Sequence, residues 1–318
     1  MPFSKGLANL QRGFIIISKL KNHSELNINY LKISPLLVVV SLFTIYPVIY
    51  AISISLREYK LILPPPYEFI GFENYITLFK DRYFLQALSN TCWFVIICVI
   101  SVVILGFFSA QLLNKRFKGV GILRVLVFLP WTIPYVTVGI LWKLFFMSGW
   151  GYFTKILNTM GIFDTGQSVA WLANGNFARF AVVLAQVWHE FPLATIFLLS
   201  GMQTIPGELY EAIEMDSGKA FDKIRYITIP LLKPVFVIVI VLNAMMALIT
   251  FDVVYVITGG GPAGKTSLIS YYAYTKAFKF LNFGESGATS IVLSIFTIVF
   301  VLIIFKITAQ KREVGGLS

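Results

Sequence analysis

Residues Gly259 to Thr266 read GGGPAGKT. They satisfy the G-x-x-x-x-G-K-[ST] pattern, in which backbone N–H groups cradle phosphates, the lysine bridges them and the hydroxyl binds magnesium. The preceding run Val253-Val254-Tyr255-Val256-Ile257 could be a strand, and Ser267 onward a helix. A second constellation is His189-Glu190, with Gln186 one helical turn before Glu190 on the same face. A carboxylate within an apolar run is costly, so it marks a functional site, a partner on a neighbouring helix, or a place near the outer interface. A metalloprotease pattern would need a second histidine four residues after the first. That position is Leu193, and the other histidine of the chain is His23.

Neutral polar residues form a third group. Asn243 and Thr250 share one helical face with Asp252 just beyond, and Ser286, Ser290, Ser294 and Thr297 fall on one stripe of a later run. Small hydroxyl residues at such spacing more often pack helices than touch a substrate. A pathway of Ser, Thr, Asn, Gln, Tyr and Trp would nevertheless suit a sugar better than a charged one. The candidate pathway residues are therefore Gln186, Glu190, Asn243, Thr250, Asp252, Ser290 and Ser294.

The elements that must position these groups are apolar. Hydrophobic residues make up 57% of the 318, charged ones 13%, against about 25% charged in a typical globular chain, and mean hydropathy is +0.79. The net charge of +11 is strung between apolar runs rather than gathered in one domain, which suits an anionic membrane surface and not a nucleic acid. Cys92 and Cys98 lie six apart in one apolar run and give neither a disulfide framework nor a zinc spacing. The first apolar run starts near Ile33 and is long enough to span, so no cleavable signal peptide is expected.

The pattern predicts an all-α polytopic membrane protein with six spans, at about 33–56, 91–113, 121–147, 177–201, 231–251 and 286–307. Residues 1–32 form a basic lead-in, 33–310 the transmembrane domain and 311–318 a tail. Pro130 and Pro134 predict a kinked or broken third span, Pro192 a kink in the fourth, and a short helix is expected around Tyr152–Met160. With the N- and C-termini inside, sixteen of the 26 Lys and Arg fall on the cytoplasmic side, which favours that orientation. The GGGPAGKT turn is then outside the cell, with only about 35 residues between spans and no soluble α/β domain around it. It reads as a glycine-rich turn, and nucleotide binding by this chain is the disfavoured alternative.

Between spans four and five lies Pro206 to Pro234, which holds nine ionisable groups. Leu209, Ala212 and Ile213 form one helical stripe and Phe221, Ile224 and Ile227 another, with Asp216-Ser217-Gly218 as a helix stop between them. Two short amphipathic helices are expected, folded on each other and leading straight into span five. Two helices held at a membrane surface with an apolar face are a docking element.

Glu211-Ala212-Ile213, Asp216-Ser217-Gly218 and Ile227-Thr228-Ile229-Pro230 resemble the "EAA" loop of binding-protein-dependent ABC importer permeases. Two departures are Ile213, where the family usually has Ala, and a glycine moved from 217 to 218; the spacing from Glu211 to Pro230 is kept. Thr258-Gly259-Gly260-Gly261-Pro262, Leu129-Pro130-Trp131 and Trp171-Leu172 resemble the carbohydrate-type subgroup, which carries maltose-like oligosaccharides, other sugars or glycerol phosphate. The resemblance implies a permease subunit, not an enzyme, in the cell membrane. It implies pairing with a second permease (a different chain or a copy), two ATPase subunits that bind ATP and magnesium, and an extracytoplasmic substrate-binding protein. This chain would need no cofactor of its own. Glu211 would give a polar contact to the ATPase, Leu209, Ala212 and Ile213 an apolar knob, Asp216, Ser217 and Gly218 the turn, and Ile227 and Pro230 the return into the membrane. A non-sugar solute remains the alternative cargo, and a membrane enzyme acting through His189 and Glu190 the rival of another class.

Overall fold

The computed structural model describes residues 34–36, 38–115, 117–162, 169–216 and 218–313. Those residues are helical and contain no strand, only two isolated bridges, Arg57 with Phe69 and Lys60 with Asn282. The chain divides into two compact units, 1–53 and 54–318. The first holds most of α1 (Ser34–Ser55), an apolar helix with a π-helical turn at Ser41–Ile45. The predicted lead-in 1–32 lies outside the described residues.

The second unit is built on three long helices: α3 (Arg82–Leu113), α7 (Gly175–Gln203) and α9 (Ala220–Leu248). α3 follows a short helix, α2 (Glu73–Lys80). It begins at Arg82 instead of Thr91, because the Asp81 side chain accepts the Tyr83 N–H and caps the helix nine residues upstream of the apolar run. α3 and α7 lie against each other along much of their length, and α9 packs on both. Gly106 makes the first contact close: a Cβ there would come within 2.8 Å of Ala194 Cβ. Without water to drive association, such small-residue contacts supply the packing between membrane helices. α7 stays one helix through Pro192.

The third span is broken, as its prolines predict. α4 (Val120–Thr132, its last turn 3-10) and α5 (Tyr135–Phe145) meet at a 98° bend. Pro134 forces Ile133 out of the helical region, and Ile133 is extended at φ −84°, ψ 130°. A short helix, α6 (Tyr152–Thr159), and a 3-10 turn (Trp171–Ala173) follow. Trp171 belongs to an aromatic cluster with Phe153 and Phe177 and donates its indole N–H to Thr154 at 2.8 Å.

α8 (Gly207–Met215) is the first docking helix. The second is not a separate element: residues from Ala220, including a π-helical stretch Lys223–Thr228, run without a break into the fifth span as α9. Beyond it come α10 (Asp252–Ile257), α11 (Ile269–Tyr274, continued by a π turn Thr275–Lys279) and α12 (Phe283–Glu313). Among the described residues, five helices are long and apolar enough to cross a membrane, and six spans result if the bent pair counts as one.

An ion-pair cluster fastens α3, the π turn after α11 and α12 where they meet. Lys276 Nζ lies 3.1 Å from Asp81 and 2.6 Å from Glu285, and the Tyr272 hydroxyl donates to Asp81 at 2.6 Å. Burial alone would raise the Asp81 carboxyl, but Tyr272, the Tyr83 N–H and Lys276 bring it below its ordinary value. Burial would lower Lys276, but Glu285 and then Asp81 hold it above its ordinary value. A depressed carboxyl gives stability that is full above its unfolded pKa near 3.8 and is lost as pH falls through the folded value. A raised ammonium gives stability that is full below 10.5 and is lost as pH rises through its folded value. Lys276→Met is therefore expected to lower stability by about 1–3 kcal/mol near neutral pH. Thermal unfolding in detergent should show that deficit shrinking below the Asp81 range, where the stranded carboxylates become protonated.

Candidate functional site

Two places bring the singled-out residues together. The first is the hairpin of α8 and the start of α9. α8 opens after Pro206, carries Glu208 in its first turn, where the helix dipole favours an acid, and has no buried residue. The hairpin is held by the Tyr210 hydroxyl bonded to Thr228 at 3.1 Å and by a Lys223–Glu214 ion pair. Asp222 accepts the Lys219 N–H at 2.8 Å and starts the second arm.

Gly218 returns its N–H to the Ile213 carbonyl at 2.9 Å, closing the end of α8. A Cβ on Gly218 would fall 2.3 Å from Ile213 Cγ2 and 2.9 Å from the Ile213 oxygen. The two departures from the family pattern, Ile213 and the displaced glycine, are thus in contact with each other. Ser217 lies outside the described residues.

Leu209, Glu211, Ala212 and Asp216 are exposed, Ile213 and Pro230 half-buried and Ile227 buried. Glu211 carries no hydrogen bond or ion pair among the described residues, unlike Glu214 and Asp222. The predicted stripe of Phe221, Ile224 and Ile227 does not form. Ile224 and Ile227 turn towards the core, while Phe221 is 65% exposed. The π-helical turns are wider than 3.6 residues, so the register slips between Phe221 and Ile227. Leu209, Ala212, Met215 and Phe221 are thus all left exposed on the hairpin.

The second place is the bend in the third span. The break frees the Ile133 carbonyl, and His189 Nε2 meets it at 3.0 Å. The Tyr135 hydroxyl, two residues on, donates to Glu190. His189 Nδ1 lies 3.2 Å from the same carboxylate oxygen. The Tyr135 hydroxyl and the adjacent imidazole give the Glu190 carboxyl, only 3% exposed, the polar partners that burial demands.

Gln186, also buried, has neither amide atom in hydrogen-bond geometry with a partner. Half-buried Asp252 opens α10, which packs on α5, the helix of Tyr135. Asn243 is buried on α9, its NH2 donating to Val239 and its oxygen unpartnered. Thr250, Ser290 and Ser294 donate their hydroxyls to the carbonyls four residues back, so no cross-helix bond comes from those hydroxyls. Tyr135 was not singled out from the sequence. Its position just after the Ile133-Pro134 break was the available signal.

The GGGPAGKT segment lacks the strand that precedes a phosphate loop: Val253–Ile257 is helical. The N–H groups of Gly259, Gly261, Lys265, Thr266 and Ser267 bond carbonyls at or beside the turn. The Thr266 hydroxyl is committed to Gly261 and Thr258. Asn90 and Arg179 bind the turn's carbonyls, at Gly264 and Ser267 and at Lys265, and also each other.

A helical chain with up to six spans, a broken third span and a braced hairpin before the fifth is built as a transport subunit. Residues 103–311 match the family described as the binding-protein-dependent transport system inner membrane component, and the chain belongs to that family. It is 37% identical to the trehalose/maltose transport system permease protein MalF of Thermococcus litoralis, over 94% of this chain and 99% of that one. It is 32% identical to the sulfoquinovosyl glycerol transport system permease protein SmoG of Agrobacterium fabrum, over 83% and 84%. Its fold resembles a chain of a bacterial ABC transporter involved in import of the acidic polysaccharide alginate. There the TM-score is 0.76 at 21% identity, covering 89% of this chain and 95% of that one. The chain is an ABC permease subunit of the inner membrane, the membrane component of a system that works with a binding protein.

Tyr135→Phe is expected to leave Glu190 with His189 alone and to cost about 1–2 kcal/mol in the membrane interior. His189→Leu, which strands both the Ile133 carbonyl and Glu190, should cost more. Thermal unfolding of the purified protein in detergent measures both.

Proposed function

We propose that this chain carries a sugar or a related small polar solute across the membrane, with its termini and the α8–α9 hairpin in the cytoplasm. The observation that carries the reading is the hairpin itself. It presents exposed apolar side chains and an unpaired Glu211 on a rigid, cross-braced support that is continuous with a membrane span. Exposed apolar surface on a braced element fits a permanent protein contact. The excess of Lys and Arg on the same side supports the orientation.

In this reading the chain pairs with a second permease, a different chain or a copy, and with two ATPase subunits that bind ATP and magnesium. Residues 1–32 and 311–318 are cytoplasmic and 33–310 form the pathway domain. ATP-driven closure of the ATPases moves the hairpin, and the rigid α9 carries that motion into the membrane. Such coupling requires the ATPase to bind the hairpin differently in the inward- and outward-open states. Leu209, Ala212 and Ile213 form the knob, Glu211 the polar contact, Asp216, Ser217 and Gly218 the turn, and Ile227 and Pro230 the anchor. Gln186, Glu190, Asn243 and Asp252 line the pathway beside the broken span, with Thr250, Ser290 and Ser294 as its less polar walls. The names of the similar maltose, sulfoquinovosyl glycerol and glycerol-3-phosphate permeases support a sugar-class cargo.

Gly218→Val is expected to cut solute uptake by about tenfold or more, while the variant still inserts and the ATPase still turns over; a loss of that size corresponds to only about 1.4 kcal/mol of coupling. Uptake and ATP hydrolysis measured together in proteoliposomes test this, and unchanged uptake removes the docking role. In the native complex, a photoreactive ATP analogue should label a separate subunit. Label on this chain would overturn the assignment.

A further inference from the structure

The glycine-rich turn, which lacks the preceding strand of a phosphate loop, forms one wall of a cleft of about 650 Å³. The other walls are the start of α3 and the face of α11 that carries Tyr271, Thr275 and Lys279. We propose that this cleft is a carbohydrate-binding vestibule on the entry side of the pathway, holding a sugar of two or three rings before it passes to the intramembrane residues. The inference rests on the orientation and the sugar-class cargo proposed above.

Three observations carry it. The volume falls within the range of small-molecule sites, about 300–1,000 Å³. The second is aromatic. Tyr83, Tyr271, Tyr272 and Phe280 line the cleft, and Tyr271 is backed by Phe251, Tyr255 and Tyr274, whose ring centroids lie 6.2 Å, 6.4 Å and 6.4 Å from its own. Tyrosine rings combine an apolar face, on which the C–H face of a sugar ring can lie, with a hydroxyl that bonds its substituents. Gly260 explains why the turn must be glycine. Its φ is +77°, and a Cβ would come within 2.5 Å of the Tyr271 ring. The turn thus seats the ring at the cleft wall.

The third is charge. Lys276 is satisfied by Asp81 and Glu285, so it offers the cleft little. Lys279 is exposed and, among the described residues, bonds only the Tyr271 hydroxyl, at 3.0 Å, which raises its pKa. An ammonium has three donors, so two remain for sugar hydroxyls. One free donor group beside the lining rings Tyr83, Tyr271, Tyr272 and Phe280 fits a polyol better than a multiply charged ligand.

The test uses the full-length chain in its native complex, with photoreactive maltotriose as the probe and uptake of maltotriose and trehalose measured in parallel. Label is expected in segment 255–280, chased by unmodified maltotriose. It should fall about tenfold in Lys279→Gln and in Tyr271→Leu, with binding-protein association unchanged. Lys279→Gln alters an exposed side chain, so its result stands even if Tyr271→Leu fails to assemble. Label confined to other segments, or unaffected by Lys279→Gln, overturns the vestibule. So does a variant that loses binding-protein association instead, since the cleft is then a protein contact. A wild-type complex that imports neither sugar removes the sugar-class reading itself, whereas import with no label in 255–280 removes only the vestibule.

Discussion

The lipid interior offers no water to an unpaired backbone group, and the architecture depends on how that demand is met at one break. Pro134 ends the first half of the third span and exposes the Ile133 carbonyl at membrane depth. His189 answers it from α7, and its neighbour Glu190 is tied to Tyr135 at the start of the second half. A 98° bend is therefore clamped on both sides by adjacent residues of a single helix.

The hairpin shows the complementary design. Its internal bonds, Tyr210 to Thr228 and Glu214 to Lys223, lie between its arms, while Leu209, Met215 and Phe221 are exposed. A soluble domain would bury Phe221 and Leu209; here the π-helical register directs the core-facing residues Ile224 and Ile227 inwards and leaves Phe221 free. The second arm is one helix with the fifth span, so no loop separates the hairpin from it.

The glycine-rich turn illustrates how far a short pattern can mislead. GGGPAGKT matches a phosphate loop in letters, but the N–H groups of Gly259, Gly261, Lys265 and Thr266 are bonded to nearby carbonyls, and Asn90 and Arg179 hold carbonyls of the turn. Glycine serves here for close approach to the Tyr271 ring. The chemistry of the motif depends on which way its backbone donors point, and that is a property of the packed turn.

The class, the helical fold, the proline break and the hairpin between the fourth and fifth apolar runs were legible in the sequence alone, whereas of its six expected spans five are single long helices and the third is a bent pair. Long apolar runs, proline positions and the spacing from Glu211 to Pro230 act locally, through helix length and backbone restriction, and local rules can be read from neighbours in the chain. Tertiary structure decided the rest. Tyr135 with Glu190, Lys276 between Asp81 and Glu285, and Lys279 on Tyr271 join residues from different helices or from successive turns with irregular register. The start of α3 at Arg82 and the exposure of Phe221 follow from a cap and a π turn. Periodicity carries neither signal, because each depends on which backbone groups find partners once the helices have packed.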